Sequence, residues 1–186
     1  STDAPMEGTV EAMMTCDGDS LWLMLPSGLQ QRDLDGHVRR ELESGRDGLQ
    51  LGQLNLDVEC GPLDHIWLAS SRGLLQWLPE TGRFQPVPGA PASAVYAMHV
   101  GHDGQVWLSE DGRLVRYQWR HGRLERQAVI GAEQGYPAIS ATGVVVDAQG
   151  VVWASSARGL VRVGADGQSV RQYGVHDGLP SQEFRE

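Results

Sequence analysis

Residues 103–114 read DGQVWLSEDGRL, so that a tryptophan lies between two Asp-Gly pairs. The short apolar run around Trp107 has the length and composition of a β-strand, and each Asp-Gly pair supplies the positive φ that a two-residue hairpin requires. Further apolar runs follow the same plan at 94–100, 114–119 and 124–130. This part of the chain therefore predicts four antiparallel strands joined by tight turns.

The same phrase occurs four times, around Trp22, Trp67, Trp107 and Trp153, at intervals of 45, 40 and 46 residues. A glycine follows six residues after the tryptophan in three units and five residues after it in the Trp107 unit. Four strands in each unit of this length are typical of a propeller blade. The sequence predicts an all-β chain, a β-propeller with four blades of four antiparallel strands, at about 9–52, 53–91, 92–137 and 138–175.

The repeated tryptophans are predicted to pack between blades, because a blade cannot bury both of its faces alone. Trp77 and Trp119 fall late on third strands, where packing is again favoured over an outer-surface contact. Residues 37–44 fit either a helical turn or a solvated outer strand. Helical periodicity is otherwise nearly absent.

Composition excludes several classes of protein. The 186 residues carry 15 basic and 24 acidic side chains, a net charge of −9, which argues against nucleic-acid binding. No apolar run approaches the length of a membrane span, and Ser1–Pro5 lacks the basic start and apolar stretch of a signal peptide. We expect no membrane contact by this segment itself.

Two cysteines are too few for a disulfide scaffold or a structural zinc site. Cys16 and Cys60 fall at nearly the same place, late on the innermost strands of successive blades. A disulfide between adjacent blades would demand a close approach of the two Cα atoms. Of the two alternatives, we expect a pair of buried thiols rather than a bond.

The repeat resembles the two-component regulator propeller repeat, in which aspartate-glycine, an aliphatic residue and tryptophan precede glycine-leucine. A second phrase of that family, aspartate-glycine-leucine-proline-serine, links consecutive blades. It stands nearly intact at Asp177–Ser181, in a shorter form at Asp47–Leu49 and in a degraded form at 133–137. The linker at 85–91 departs from the pattern. The resemblance covers the chain from about Val10 to its end.

The resemblance implies the periplasmic sensor region of a bacterial membrane signalling protein, whose output domain would be a histidine kinase or a diguanylate cyclase. We accordingly expect ligand sensing without catalysis, and a membrane-anchored parent protein. Propellers close with roughly four to eight blades, and this family usually has more than four. Residues 176–186 would then lead into a missing blade. We expect an open arc or fragment of a larger propeller, with a ring of two paired copies or a closed four-bladed ring as the alternatives.

Candidate ligand-binding residues are few. Loops of several blades converge at the mouth of a propeller channel, so Tyr96 and His99 on an inner strand, and Tyr136 and His176 in linkers, are weak candidates. The spacing of His99 and His102 suits two metal ligands, but the sequence assigns no third ligand. The sequence therefore predicts no metal site.

Two short acidic motifs echo a calcium loop without its glutamate. They occur at Asp17–Asp19 and Asp33–Asp35, where hairpin turns are expected. No nucleophile elbow and no phosphate-binding glycine loop occurs, and we expect no cofactor.

Two other functions stay open beside the sensor. Streptogramin lyases and related propeller enzymes use similar tryptophan-bearing blades, with a histidine base and a metal. A scaffold that self-associates through open blade faces is the third hypothesis. The combination of glycine-leucine and Asp-Gly-Leu-Pro phrases favours the sensor.

Overall fold

The computed structural model describes residues 9–10, 12–16, 18–43, 45 and 55–174, which form four antiparallel sheets of four strands each. In every sheet the strands are neighbours in chain order, as hairpin connections require. The first sheet contains β1 (Ala12–Met14), β2 (Ser20–Leu25), β3 (Gly28–Asp33) and β4 (Val38–Glu43). The second contains β5 (Asn55–Cys60), β6 (Ile66–Ser70), β7 (Gly73–Leu78) and β8 (Arg83–Pro86).

The other two sheets repeat the plan. The third contains β9 (Ala97–Val100), β10 (Gln105–Glu110), β11 (Arg113–Arg120) and β12 (Arg123–Ile130), and the fourth contains β13 (Gly143–Val146), β14 (Val152–Ser156), β15 (Gly159–Val163) and β16 (Val170–Tyr173). Short 3₁₀ turns lie at Pro62–Asp64 and Ala132–Gln134. The segment for which the sequence left two alternatives is the outer strand β4, not a helical turn.

The four sheets are arranged as an open propeller arc. The first strands are innermost, since β1 contacts β5, β5 contacts β9, and β9 contacts β13. Among the described strands, no comparable contact joins the fourth sheet to the first. This confirms the predicted fold class, an open arc of four blades. No helix within the described ranges is long and apolar enough to cross a membrane.

The apolar core of the described residues consists of three layers, one between each pair of neighbouring blades. Trp22 lies in the layer between blades 1 and 2, Trp67 between blades 2 and 3, and Trp107 between blades 3 and 4. All three are nearly inaccessible to solvent, at 4%, 0% and 3% exposure. Each repeated tryptophan thus packs against the blade that follows it.

Trp77 and Trp119 complete this packing from the opposite side. The Trp22 and Trp77 rings lie 5.6 Å apart, and the Trp67 and Trp119 rings lie 5.4 Å apart in an edge-on contact. Each pair joins a second strand to the third strand of the next blade. Packing, as the sequence predicted, is the role of both residues.

Candidate functional site

A polar groove of about 1070 Å³ opens on the channel side of the first three blades. It forms where the inner strands β1, β5 and β9 end and turn into the second strands, so loops from several blades converge there. We call it the channel-side groove, and it is lined in part by Met13, Asp57, Glu59, Leu63, His102 and Trp119.

A disulfide between Cys16 and Cys60 forms one wall of the channel-side groove. The two Cα atoms are 5.3 Å apart, within the range that a disulfide needs. The expectation of two buried thiols was therefore wrong, and both cysteines are only half-buried. The physical reason is that stacking blades brings equivalent positions of adjacent inner strands close together. Disulfides persist mainly in oxidising, extracytoplasmic compartments.

Two carboxylates of β5 also line the groove and reach across to β9. The Met98 backbone N–H donates to Asp57 Oδ2 at 3.2 Å, and the Val100 N–H donates to Glu59 Oε2 at 3.2 Å. Burial raises the pKa of Asp57 to about 6. Burial, together with the neighbouring Asp57 charge, raises the pKa of Glu59 to about 8.

Sequence reasoning missed Asp57 and Glu59, since no motif marks them. The available signal was the alternation of acidic residues with Val58 on an inner strand, which places both carboxylates on one face.

The turn after β5 carries the exposed rim of the groove. Leu63 has φ 61° and Asp64 has φ 57°, an unusual pair of left-handed residues, and Leu63 is 77% exposed. The preceding Gly61 lies directly against the Trp67 indole, where a Cβ atom would collide with the ring. The packed tryptophan thus fixes the position of a loop that otherwise points into solvent.

The residues predicted to bind ligand are scattered. Tyr96 is half-buried before β9, and its N–H donates to the Ser109 carbonyl at 2.8 Å. Tyr136 is 3% exposed in the core between blades 3 and 4, and burial raises its pKa to about 12. His176 lies outside the described residues. Neither tyrosine lines the channel-side groove.

The two histidines of the His-x-x-His motif lie in different places. His99 pairs in register with Trp107 and is half-buried, and burial lowers its pKa. His102 is exposed on the groove rim. That His99, Tyr96, Tyr136 or His176 binds a ligand stays a prediction.

An acidic group on the β3–β4 turn has the spacing of metal ligands. Oxygen or nitrogen atoms of Asp33, Asp35 and His37 lie within 4.8 Å of one another. Asp33 Oδ1 accepts the backbone N–H groups of Asp35 at 3.0 Å and His37 at 2.9 Å, which is how an aspartate stabilises a turn. The hydrogen bond from the His37 backbone N–H lowers the pKa of Asp33.

Comparison with known proteins supports the fold. No family model and no curated protein sequence matches the chain. Among solved structures, the extracellular domain of BT4673, a proposed one-component system of B. thetaiotaomicron, matches with a TM-score of 0.74 and 18% identity over 98% of this chain. The extracellular domain of BT3049, a proposed hybrid two-component system of the same organism, matches with a TM-score of 0.75 and 16% identity over 94% of this chain.

The structure of a propeller enzyme is also similar to that of this chain. A catalytically inactive virginiamycin B lyase from Staphylococcus aureus matches with a TM-score of 0.61 and 15% identity over 90% of this chain and 55% of its own. This chain spans only 25% of the matched BT4673 structure and 24% of that of BT3049. At these identities the likeness establishes a propeller fold, in agreement with the resemblance carried by the repeat.

Proposed function

We propose that this chain is the ligand-binding part of an extracytoplasmic sensor propeller in a bacterial signalling protein, without catalytic activity of its own. The observation that carries the proposal is the channel-side groove, where turns from three blades converge on a polar wall. The similarity to extracellular domains of signalling proteins supports the same assignment.

The Cys16–Cys60 disulfide supports a periplasmic location. A membrane-anchored parent protein, with a histidine kinase or diguanylate cyclase as output, follows from the resemblance of the repeat and belongs to the same proposal.

The groove has the mixed surface that small polar ligands use. Its rim carries the exposed apolar side chains of Met13 and Leu63, at 68% and 77% exposure, and its wall carries Asp57 and Glu59. Sites of this kind combine apolar contact area with a few polar groups that fix the orientation of the ligand. The exposed rim is well placed to contact a ligand without contributing to the core.

A thermal-shift screen of sugars, amino acids and metal ions tests the proposal. We expect at least one compound to raise the melting temperature of the wild type, and Leu63→Ala and His102→Ala to reduce that shift. Leu34→Ala is the matched control, because Leu34 is 70% exposed on the β3–β4 turn, away from the groove. The ligand would bind elsewhere, and the groove would be refuted as the binding site, if the ligand-induced rise in melting temperature fell equally in the control or persisted in both rim variants.

A specific observation favours self-association as a second function. The face of blade 4 that points away from blade 3, here called the blade 4 face, carries Trp153, which is half-buried, and Val145, which is 59% exposed. The equivalent tryptophans of the other blades are covered by the following blade. We propose that a second copy of this chain covers the blade 4 face, blade 4 against blade 4.

Light scattering over a dilution series tests this second function. We expect a dimer that dissociates on dilution, and a monomer for Trp153→Arg, since a charge there would have to be buried unpaired. The control Leu34→Arg changes an exposed apolar residue on blade 1 and should leave the dimer intact. A wild-type monomer at every concentration would rule out the pairing.

A further inference from the structure

The inner strands of blades 2 and 3 are joined through side chains rather than through a backbone ladder. β9 pairs with β10 on one edge, so the alternate amides of Met98 and Val100 point away from that partner. Asp57 and Glu59, two residues apart on β5, match this spacing and accept those amides. The β5–β9 contact is thus made in part by two ionisable groups in register with two backbone donors.

Among the described residues, the strands that lie beside the two carboxylates carry no arginine or lysine. β1 (Ala12–Met14) and β6 (Ile66–Ser70) contain no ionisable side chain. On β9 the one ionisable group, His99, is in register with Trp107 and so lies on the blade 4 side of the sheet. The ionisable groups on the groove rim are Asp64, His102 and Asp103.

We propose that the β5–β9 contact is a pH switch, which is tight when Asp57 and Glu59 are protonated and loosens when both ionise. The switch is separate from ligand binding. It lies in the wall of the groove, but it does not require a bound ligand. A neutral carboxyl group keeps its carbonyl oxygen as acceptor for the Met98 or Val100 amide. Ionised carboxylates accept these amides more strongly, which opposes loosening. The opposing effect is smaller than the cost of burial, and two carboxylates on one face of a strand also repel each other and favour hydration of the contact.

The direction of the pH effect follows from burial. Burial raises the pKa of Asp57 to about 6 and, together with the Asp57 charge, that of Glu59 to about 8. Both pKa values in the folded state lie above those in the unfolded chain, so folding favours the protonated forms. The stabilisation they give is fully present below about pH 4 and is lost as pH rises through about 6 and then about 8.

Backbone amide NMR provides a direct test. We expect the Met98 and Val100 amide signals of the wild type to titrate between pH 5 and 9. Glu59→Gln should remove the step at higher pH, because an amide side chain mimics the neutral carboxyl group. Asp57→Asn should leave a single step, at a lower pH than the Glu59 step of the wild type, because the Asp57 charge no longer raises the pKa of Glu59. Glu80→Gln is the control, since Glu80 is exposed on the β7–β8 turn, and it should titrate like the wild type.

Hydrogen exchange of the same two amides gives a second readout. After correction for the intrinsic pH dependence of exchange, protection in the wild type should fall by about tenfold or more on going from pH 5 to pH 9, the change that one pKa unit of coupling produces. The double variant should show no such fall. Constant amide signals and constant protection in the wild type would overturn the switch, and so would an unchanged titration in the double variant.

Discussion

The same residue type has different surroundings at the four repeated positions. Trp22, Trp67 and Trp107 each lie under the following blade, and Trp67 is completely inaccessible to solvent. Trp153 has the Tyr173 ring of its own blade at 6.0 Å and is half-buried, and its indole N–H donates to Asp147 at 3.3 Å. We therefore expect the same repeat position to contribute unequally to stability in the four blades.

Truncation of these tryptophans should reveal the difference. We expect Trp67→Ala to lower the free energy of unfolding by about 3–5 kcal/mol, the cost of a large cavity in a packed core. Trp153→Ala should cost about 1–2 kcal/mol, because part of the indole is exposed in the native state. Urea unfolding of both variants under dilute conditions measures this. Equal losses would contradict the account of the open blade 4 face.

A buried polar cluster lies between blades 2 and 3. Glu110 is 2% exposed, and its two oxygens accept the Tyr117 hydroxyl at 2.8 Å and the Arg113 guanidinium at 2.9 Å. Burial, followed by the hydrogen bond to Glu110, raises the pKa of Tyr117. The carboxylate is thus satisfied by two donors from one hairpin, as a buried charge requires.

Loss of one donor should be costly. We expect Tyr117→Phe to lower the free energy of unfolding by about 1–3 kcal/mol, because it leaves a buried carboxylate oxygen without its hydroxyl partner. Chemical denaturation measures the difference. Tyr173→Phe, at a half-buried residue of β16, is the control and should change stability little. A Tyr117→Phe variant as stable as the control would argue against the cluster.

At the scale of the element, the glycine that follows each tryptophan has two different roles. Gly73 and Gly159 begin third strands with φ of 121° and 129°. A Cβ atom on Gly73 would lie 2.8 Å from the Pro91 carbonyl oxygen, and a Cβ atom on Gly159 would collide with the Tyr173 carbonyl oxygen. Gly112 lies in the turn itself, with φ 68° and open space around it. In the Trp107 unit, where the glycine comes one residue earlier, it therefore serves the turn instead of a close contact with a neighbouring backbone.

This difference predicts unequal costs of substitution. Gly112→Ala should cost about 1 kcal/mol, the penalty of a left-handed residue in a turn. Gly159→Ala should cost more, since its Cβ atom would also force β15 and the end of β16 apart. Melting temperatures of the two variants provide the comparison. If Gly112→Ala were the more harmful change, the proposed backbone contact would be wrong.

The disulfide is the strongest link between two inner strands. Its sequence separation of 44 residues predicts a stabilisation of about 4 kcal/mol from the lost freedom of the unfolded chain. We expect the Cys16→Ala, Cys60→Ala double variant to lose a stability of that order. Adding a reducing agent to the wild type should produce a similar loss and should leave the double variant unchanged. If reduction of the wild type and the double substitution lowered stability unequally, the alanine side chains, rather than the missing bond, would account for the loss in the variant.

For the whole molecule, stability should follow the number of covered faces. Blades 2 and 3 have a blade on each side, and many of their core side chains are 0% exposed, including Trp67, Leu68, Met98 and Leu108. Blade 4 has one covered face. Stacked repeats contact only their neighbours, so a terminal unit lacks one interface.

Hydrogen exchange should show a gradient along the arc. Under conditions where the chain is monomeric, we expect β6 and β10 amides to exchange most slowly. The described strands of blades 1 and 4, including β16, should exchange faster, since local opening costs least where one face is uncovered. Mass spectrometry of peptides from each blade measures this. Equal protection in blades 3 and 4 would indicate that the arc opens as one unit.

The chain sequence by itself determined the repeat, the strand order and the inter-blade position of the tryptophans. Period-2 alternation and glycine turns are local signals, which a sequence carries residue by residue. The contacts of Asp57, Glu59 and Cys60 were not predictable, because each joins residues that are about 40 positions apart. Only the stacking of blades decides which side chains of adjacent inner strands meet. The groove, its disulfide and its raised carboxyl pKa values arise there, where the tertiary structure brings half-buried polar groups next to one another.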